Sequence, residues 1–245
     1  VIWDKNKQEL FGARDHFGIK PFYYAKMNGT FMYASEIKSL LRHPDFVKEL
    51  NAEALKPYMT FQYPAIGETF FKGVYKLPEG HYFTYRDGKM DIHRYYDEDF
   101  REGKQKLGEL VNSIDQTVCD SVKAHQIADV KVGSFLSSGV DSSYVAAVAR
   151  PQHTYSIGFG KGTYNESQQA GELAELLKLN NTAESLTDEE AFAAFPRIQW
   201  HLDEPDSNPS CVPLYFLSAL AAKDVKVVLS GEGADELFAG YIDYG

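Results

Sequence analysis

The chain has 245 residues, with 25 Lys and Arg against 35 Asp and Glu, so its formal net charge is −10, and 44% of its residues are hydrophobic. This length and composition suit one large or two small globular domains with real cores, and they exclude wholesale disorder. No stretch approaches the roughly 20 apolar residues of a membrane-spanning helix, and the negative charge argues against a protein that coats nucleic acid. Two cysteines, Cys119 and Cys211, are too few for a disulfide framework. They indicate a reducing, cytoplasmic compartment.

The charge divides the chain into two parts. Residues 1–105 carry 16 basic and 15 acidic side chains, whereas residues 106–245 carry 9 basic and 20 acidic ones. We therefore predict a first domain over 1–97, a polar linker over 98–106 and a second domain over 107–245. The chain starts without Met or a signal-peptide pattern and stops without a polar tail, so we expect a piece of a longer protein.

The first part has the pattern of a β-rich domain. The aromatic segments 21–26 and 30–34 flank Asn28-Gly29, a pair that predicts a tight hairpin because both residues tolerate positive φ. The other elements predicted here are a helix over 36–41, a helix over 51–59 with Asn51 as its N-cap, and a second hairpin over 81–95 that turns at Asp87-Gly88.

In the second part, helical and strand patterns alternate. This alternation predicts βαβ units around a parallel sheet. The predicted elements are, in chain order, a helix over 107–125, a strand over 130–136, a helix over 144–149, a strand over 154–159, helices over 166–177, 189–201 (interrupted at Pro196) and 213–222, and a strand over 225–229.

The segment SSGVDSS at residues 137–143 lies between a predicted strand and a predicted helix. Such a turn directs backbone N–H groups and the positive end of the helix dipole at one point, which favours an anion such as phosphate. Gly139 lets the backbone approach a ligand, and the lysine of the common P-loop is missing. Asp141 would repel a phosphate on its own, so we interpret it as a Mg²⁺ ligand. A helix cap without any ligand is the alternative interpretation.

A second loop, SGEGADE at residues 230–236, follows the predicted strand 225–229. The carboxyl ends of parallel strands line one crevice, so we expect this loop to face the first one. Asp235 is then a candidate second Mg²⁺ ligand, and an acidic helix cap is the simpler alternative. The acidic segment 203–206 either borders a substrate site or forms a solvated loop.

These motifs resemble those of one family. SSGVDSS and SGEGADELFAGY (residues 230–241) closely resemble the ATP pyrophosphatase loop and the downstream signature of glutamine-hydrolysing asparagine synthetases, with Ser138 in place of the first glycine of the usual SGG-x-DS. The first part is similar to the glutaminase domain of that family over GARDHFGIKPFYY (residues 12–24), ASEIK (34–38) and VYKLPEGH (74–81). The resemblance spans essentially the whole chain, in the family's domain order.

The resemblance implies a fold of mixed α/β and α+β class. The C-terminal part of an N-terminal-nucleophile glutaminase domain, with four αββα layers, would be followed by a parallel-sheet ATP pyrophosphatase domain. The implied reaction adenylates the aspartate β-carboxylate with ATP and Mg²⁺, releases pyrophosphate, and lets ammonia from glutamine displace AMP. The implied partners are small molecules (aspartate, glutamine or ammonia, ATP), with no nucleic acid and no membrane. A homodimer through the glutaminase domain is compatible with the resemblance.

The resemblance also implies roles for single residues. Asp141 and Asp235 would hold Mg²⁺, and Glu232 would accept a proton from the attacking ammonium. Asp15 would hold the α-amino group of glutamine; a turn formed together with Arg14 is the alternative. The residues implied for ATP and pyrophosphate binding are Phe135, Ser137, Ser138, Gly139, Asp141, Ser142, Ile157, Ser230 and Gly231.

Two parts of the family's machinery have no counterpart in this sequence. The glutaminase nucleophile is an amino-terminal Cys whose own α-amine is the base, whereas this chain begins with Val1. The family's lysine that stabilises departing pyrophosphate comes from a later segment. We interpret Cys119 and Cys211 as structural, and we expect the 245-residue chain alone neither to hydrolyse glutamine nor to make asparagine.

Two other functions stay open. A related adenylating enzyme, such as a β-lactam synthetase, would use the same activation with a different acceptor pocket. A non-catalytic homologue would serve in regulation or storage, and the intact Asp141, Glu232 and Asp235 argue against it. GMP and NAD synthetases share only the first loop with this chain, so we rank them lower.

Overall fold

The computed structural model describes residues 1–99, 101, 103–159 and 166–241. The chain forms two compact units, of which unit 1 comprises Val1–Glu102 with Gln199–Asn208, and unit 2 comprises Gly103–Ile198 with Pro209–Gly245. The segment Gln199–Asn208 therefore belongs to unit 1 although its neighbours on both sides belong to unit 2. Within the described ranges, no helix is both long enough and apolar enough to cross a bilayer.

Unit 1 contains two antiparallel sheets. Its strands are β1 (Ile2–Asp4), β2 (Glu9–Ala13), β3 (Tyr23–Met27), β4 (Thr30–Ala34), β5 (Val74–Lys76), β6 (His81–Arg86) and β7 (Lys89–Arg94). One sheet has the order β1-β2-β6-β7 and the other has the order β4-β3-β5. Side chains of both sheets share a core around the fully buried Phe83, and Phe31 of β4 stacks on Tyr85 of β6 with ring centroids 4.2 Å apart. The two sheets thus form the two inner layers expected for the first domain.

Both predicted hairpins are confirmed. β3 pairs with β4 around Asn28-Gly29, whose φ angles are 49° and 83°. β6 pairs with β7 around Asp87-Gly88, whose φ angles are 50° and 76°. Positive φ at both central residues is the geometry that matches the twist of the flanking strands, so the turn residues alone determine these registers.

The two predicted helices of unit 1 are present. The first is α1 (Ile37–Leu40). The second begins as a 3₁₀ turn, Ala52–Ala54, and continues as α2 (Leu55–Phe61), two residues beyond the predicted end. Asn51 caps it as expected, because its side chain accepts a hydrogen bond from the Glu53 N–H at 3.2 Å.

Unit 2 is built on a four-stranded parallel sheet, as predicted, and along the chain its strands alternate with helices. The elements are α3 (Leu107–His125), β8 (Val132–Phe135), α4 (Val140–Ala149), β9 (His153–Phe159), α5 (Glu166–Leu177), β10 (Asn180–Leu186), α6 (Asp188–Leu202), α7 (Cys211–Ala221), β11 (Val227–Leu229) and α8 (Ala234–Phe238). The strand order in the sheet is β10-β9-β8-β11. The last turn of α6, from Gln199 on, belongs to unit 1.

Three details differ from the sequence-based prediction. Helix α4 begins at Val140 rather than at residue 144, because Gly139 already has the extended backbone of an N-cap and its carbonyl accepts the Ser143 N–H. Helix α6 runs through Pro196 without interruption. Strand β10 was not predicted, because its sequence NNTAESL lacks apolar alternation. It forms through in-register pairing with β9, from Asn180↔His153 to Leu186↔Phe159.

The core of unit 2 buries the central strands. Tyr155 of β9 is fully buried against Leu220 and Ala221 of α7. A second cluster joins Leu136, directly after β8, to alanines of α4 and α5. These contacts pack the carboxyl end of β8 and the last turn of α7 into the core, and both elements contribute residues to the site described next.

Candidate functional site

A cavity of about 270 Å³ opens in unit 2 beyond the carboxyl ends of β8 and β11. Its walls come from the two loops singled out in the sequence and from α7. Of the eleven site residues predicted in this unit, all but Ser138 line the cavity. Those ten are Phe135, Ser137, Gly139, Asp141, Ser142, Ile157, Ser230, Gly231, Glu232 and Asp235.

The first loop is shaped by its own serines. The Ser137 and Ser142 hydroxyls are 2.8 Å apart, and Ser142 Oγ also accepts the Ser137 N–H at 3.1 Å. The Gly139 N–H donates to Ser137 Oγ at 3.1 Å, and the Ser143 hydroxyl donates to the Gly139 carbonyl at 2.6 Å. The loop is therefore a closed ring of hydrogen bonds at the start of α4, with Asp141 in the first turn of that helix.

The second loop lies directly against the first one. A Cβ atom added to Gly231 would be 2.7 Å from the Ser142 nitrogen and 2.8 Å from Asp141 Cβ. Because these neighbours are backbone or backbone-adjacent atoms, no side chain fits between the loops at this point. The absence of a side chain at Gly231 is thus what allows the two motifs to form one surface.

The end of the second motif folds back on itself. The Gly240 N–H donates to the Asp235 carbonyl at 3.0 Å, and Gly240 lies too close to the Asp235 carboxylate for a Cβ atom to fit. The Tyr241 hydroxyl, at the cavity, donates to Glu236 Oε1 at 2.7 Å. This hydrogen bond raises the pKa of Tyr241 to about 12 and lowers the pKa of Glu236.

The cavity also has apolar lining residues. Phe135 and Ile157 come from the ends of β8 and β9, and α7 adds Pro213, Leu214 and Leu217. The strongly apolar composition of α7 marks it as a packed helix, but nothing in its sequence assigns it to the site. The lining thus combines apolar side chains with hydroxyl, backbone N–H and carboxylate groups, which suits a ligand with a flat apolar part and an anionic part.

The charges of the cavity set a condition on any anionic ligand. Asp141, Glu232 and Asp235 all line it, and no Lys or Arg does so among the residues that the structure describes. An anion needs compensating positive charge, which backbone N–H groups and a divalent cation can supply. Across the described ranges, no three His, Cys, Asp or Glu side chains are grouped to hold a metal ion. A cation bound by Asp141 and Asp235 would therefore take further ligands from the anion or from water.

Asp15 lies in unit 1 and orders its own loop. Its Oδ1 accepts the Phe17 and Ile19 N–H groups at 3.3 and 2.9 Å, and its Oδ2 accepts the Lys20 N–H at 2.9 Å. These bonds, the one from Lys20 first, lower the pKa of Asp15. The guanidinium of Arg14 donates to three backbone carbonyls within 3.0 Å. Each residue thus braces the loop through backbone groups, and glutamine binding by Asp15 stays a prediction.

Two family models match the chain: glutamine amidotransferase domain over residues 1–96 and asparagine synthase over residues 113–245. The chain is 41% identical over its whole length to asparagine synthetase [glutamine-hydrolyzing] 1 of Bacillus subtilis. It is 39% identical to a putative asparagine synthetase [glutamine-hydrolyzing] of Mycobacterium bovis, again over 100% of this chain. The chain covers 39% of the length of each relative.

Similarity to solved structures is weaker. An NH3-dependent NAD synthetase from Campylobacter jejuni is 19% identical, with 53% of this chain and 60% of that chain covered and a TM-score of 0.38. A TM-score this low adds nothing to the argument. The asparagine synthase model alone matches more than half of the residues. The chain therefore belongs to the asparagine synthase family.

Proposed function

We propose that unit 2 binds ATP together with Mg²⁺ and that the chain takes part in the glutamine-dependent synthesis of asparagine. The observation that carries the proposal is the single cavity in which both signature loops meet. Family membership supports the reaction, and both relatives reported above are named as glutamine-hydrolyzing asparagine synthetases. The partners are then small molecules, and two cysteines that form no disulfide fit a cytoplasmic location.

The two kinds of lining group match the two parts of ATP. We place the adenine against Phe135 and Ile157, with α7 as the further apolar wall, and the phosphates over the two loops. Asp141 and Asp235 are the Mg²⁺ ligands in this proposal, because carboxylate oxygens are the donors that this ion prefers. When bound, Mg²⁺ neutralises charge on the phosphates as pyrophosphate departs.

Adenylation is needed because a carboxylate oxygen is a poor leaving group, whereas AMP is a good one. A carboxylate oxygen of aspartate attacks the α-phosphorus of ATP, the bond to the bridging oxygen breaks, and pyrophosphate leaves. Ammonia then attacks the acyl carbon and AMP departs, which gives the amide. In this proposal Glu232, which lines the cavity beside Gly231, accepts the proton that the attacking nitrogen loses.

Unit 1 is, in this proposal, part of the glutaminase that supplies ammonia. Support comes from the amidotransferase match over residues 1–96 and from the two stacked antiparallel sheets. Asp15 is proposed to hold the glutamine α-amino group with oxygen lone pairs that its own loop leaves available. We expect the 245-residue chain to bind nucleotide.

Exchange of radiolabelled pyrophosphate into ATP, measured on the full-length protein, tests the function. Exchange that depends on aspartate supports asparagine synthesis. Exchange with another carboxylic acid, but not with aspartate, would move the assignment to a β-lactam synthetase-like enzyme. A lack of exchange with every acid tested would favour a non-catalytic homologue.

The role of Glu232 has its own test. In the Glu232→Gln variant of the full-length protein, we expect nucleotide binding to persist and the ammonia-dependent formation of asparagine to fall by about 10²-fold, which is the contribution typical of a general base. Asparagine formation at the normal rate would contradict the assignment.

A further inference from the structure

The chain leaves the parallel sheet of unit 2 at Leu136, one residue before the first loop of the cavity (residues 137–143). The pairing of β8 with β9 ends at Phe135↔Tyr155. Beyond that pair, the Leu136 N–H still donates to the Tyr155 carbonyl at 2.9 Å. Leu136 is 2% exposed and borders the cavity. The placement of this residue therefore determines where the first loop begins.

The carbonyl of Leu136 is held by a side chain of the neighbouring strand. The Ser156 hydroxyl of β9 donates to it at 2.7 Å, and Ser156 is itself only 1% exposed. In a continuing parallel ladder, this carbonyl would accept a backbone N–H of the partner strand. The hydroxyl supplies the bond at the point where the ladder ends. Both polar backbone groups of Leu136 are thus fixed by β9.

The single proton of the Ser156 hydroxyl has two acceptors within reach. One is the Leu136 carbonyl on the β8 side, at 2.7 Å, and the other is Asn181 Oδ1 on β10, at 3.1 Å. A hydroxyl donates one hydrogen bond, and the Leu136 carbonyl is at the shorter distance, which is the ordinary one for an O–H donor. The proton is therefore directed at the residue that precedes the loop.

Thr154 offers a comparison on the same face of β9, because alternate residues of a strand point to the same side. It is fully buried, as Ser156 nearly is. Its hydroxyl bonds lie on β10, to the Asn180 carbonyl at 3.2 Å and to Asn181 Oδ1 at 3.0 Å. Within the described part of the chain, only the Ser156 hydroxyl of this pair bonds to the residue that leads into the loop.

The hold on Leu136 extends into the hydrogen-bonded ring of the first loop. The Leu136 carbonyl and the Ser137 N–H belong to one planar peptide unit, so a bond that fixes the first also orients the second. The Ser137 N–H donates to Ser142 Oγ at 3.1 Å, and the Ser137 hydroxyl is 2.8 Å from the same atom. Ser137 Oγ also accepts the Gly139 N–H. Rotation of this peptide plane would therefore disturb the ring.

We propose that Ser156 is a positioning residue for the cavity: its hydroxyl fixes the peptide plane between Leu136 and Ser137 and, through that plane, the ring of the first loop. Ser156 acts on a ligand only through this peptide. An anion then meets polar groups that are already aligned, which lowers the cost of ordering them on binding. The expectation for ATP rests on the proposed function, whereas the alignment of the loop does not.

Titration calorimetry of ATP with Mg²⁺ into the 245-residue chain compares Ser156→Ala with the matched control Thr154→Val. Each variant removes one buried hydroxyl of β9, and the two should shift the midpoint of urea unfolding by similar amounts. We expect the affinity for ATP to fall about fivefold in Ser156→Ala, which corresponds to the loss of one hydrogen bond. In Thr154→Val the affinity should stay within about twofold of the wild type.

Amide hydrogen exchange without ligand tests the alignment independently of the proposed function. Ser156→Ala should accelerate exchange at the Leu136 and Ser137 amides about fivefold more than Thr154→Val does. Ser156→Cys fills more of the vacated space and offers a weak S–H donor. It should lie between the wild type and Ser156→Ala in both measurements, and it replaces Ser156→Ala in the comparison if that variant does not fold.

Two results would overturn the proposal. Equal effects of Ser156→Ala and Thr154→Val on ATP affinity and on the two amides would show that the hydroxyl contributes only to stability. Unchanged exchange at Leu136 and Ser137 in Ser156→Ala would show that the hydroxyl does not hold this peptide. If the wild type binds no ATP with Mg²⁺, the proposed function fails, and the exchange measurement alone decides the role of Ser156.

Discussion

The contact between the two loops at Gly231 offers a sharp test of the cavity. A methyl group introduced by Gly231→Ala would be 2.7 Å from the Ser142 nitrogen and 2.9 Å from the Asp141 carbonyl carbon. Ordinary van der Waals contact begins at 3.4 Å. The neighbours are backbone atoms at the start of α4 and cannot rotate away, so the loops must separate.

The size of the effect follows from this geometry. The shortest contact must lengthen by about 0.7 Å to become ordinary, and overpacking of this kind costs about 1–3 kcal/mol. The same displacement moves Asp141 relative to Asp235, so a ligand that bridges both loops loses affinity. We expect Gly231→Ala to lower the free energy of unfolding by that amount and to weaken Mg-ATP binding at least tenfold, which is about 1.4 kcal/mol.

Urea unfolding followed by circular dichroism gives the first quantity, and titration calorimetry gives the second. Gly171→Ala is the matched control, because Gly171 lies inside α5 and a Cβ atom there meets nothing within 4 Å. Its expected effect is a gain of about 0.5–1 kcal/mol from improved helix propensity. If Gly231→Ala were as stable as the wild type and bound Mg-ATP equally well, the proposed contact between the loops would be wrong.

Three further predictions concern single side chains. Asp141→Asn should weaken binding of ATP in the presence of Mg²⁺ far more than in its absence, as measured by calorimetry with and without a chelator. The pKa of Asp15 is lowered in the fold, so its stabilising contribution is complete above the ordinary pKa and is lost as the pH falls through the folded one; the stability difference between wild type and Asp15→Asn should be present at neutral pH and shrink as the pH falls below the ordinary pKa of an aspartate. Ser156→Ala removes a buried hydroxyl that donates to the Leu136 carbonyl at 2.7 Å, and urea unfolding should show a loss of about 1–2 kcal/mol.

Local patterns in the sequence were sufficient for much of the fold. The hairpins follow from Asn28-Gly29 and Asp87-Gly88, whose positive φ values are a property of the turn residues themselves. Helix α3 spans the predicted residues because its apolar spacing is regular. Strand β10 could not be predicted in this way, because its polar residues are held by the neighbouring strand rather than by a pattern of their own.

The same distinction applies to the site. The two loops could be predicted from the sequence because each follows a strand and has an unusual composition. The cavity brings together ten of the eleven residues predicted there. The contribution of α7 to the cavity could not be predicted, since an apolar helix has the same sequence pattern whether it faces a cavity or a core. Burial of Asp203 and Glu204 was also not predictable, because their partners Ile37, Lys38 and Phe70 are 134 to 166 residues away in the chain.

The central claim is that the cavity between the two loops binds ATP with Mg²⁺. Titration calorimetry of ATP into the 245-residue chain, with Mg²⁺ and then with a chelator, tests it most directly. We predict one binding site per chain that requires Mg²⁺ and is weakened by Gly231→Ala. Binding of equal strength in the presence of the chelator, or no binding at millimolar ATP with Mg²⁺ present, would contradict the claim.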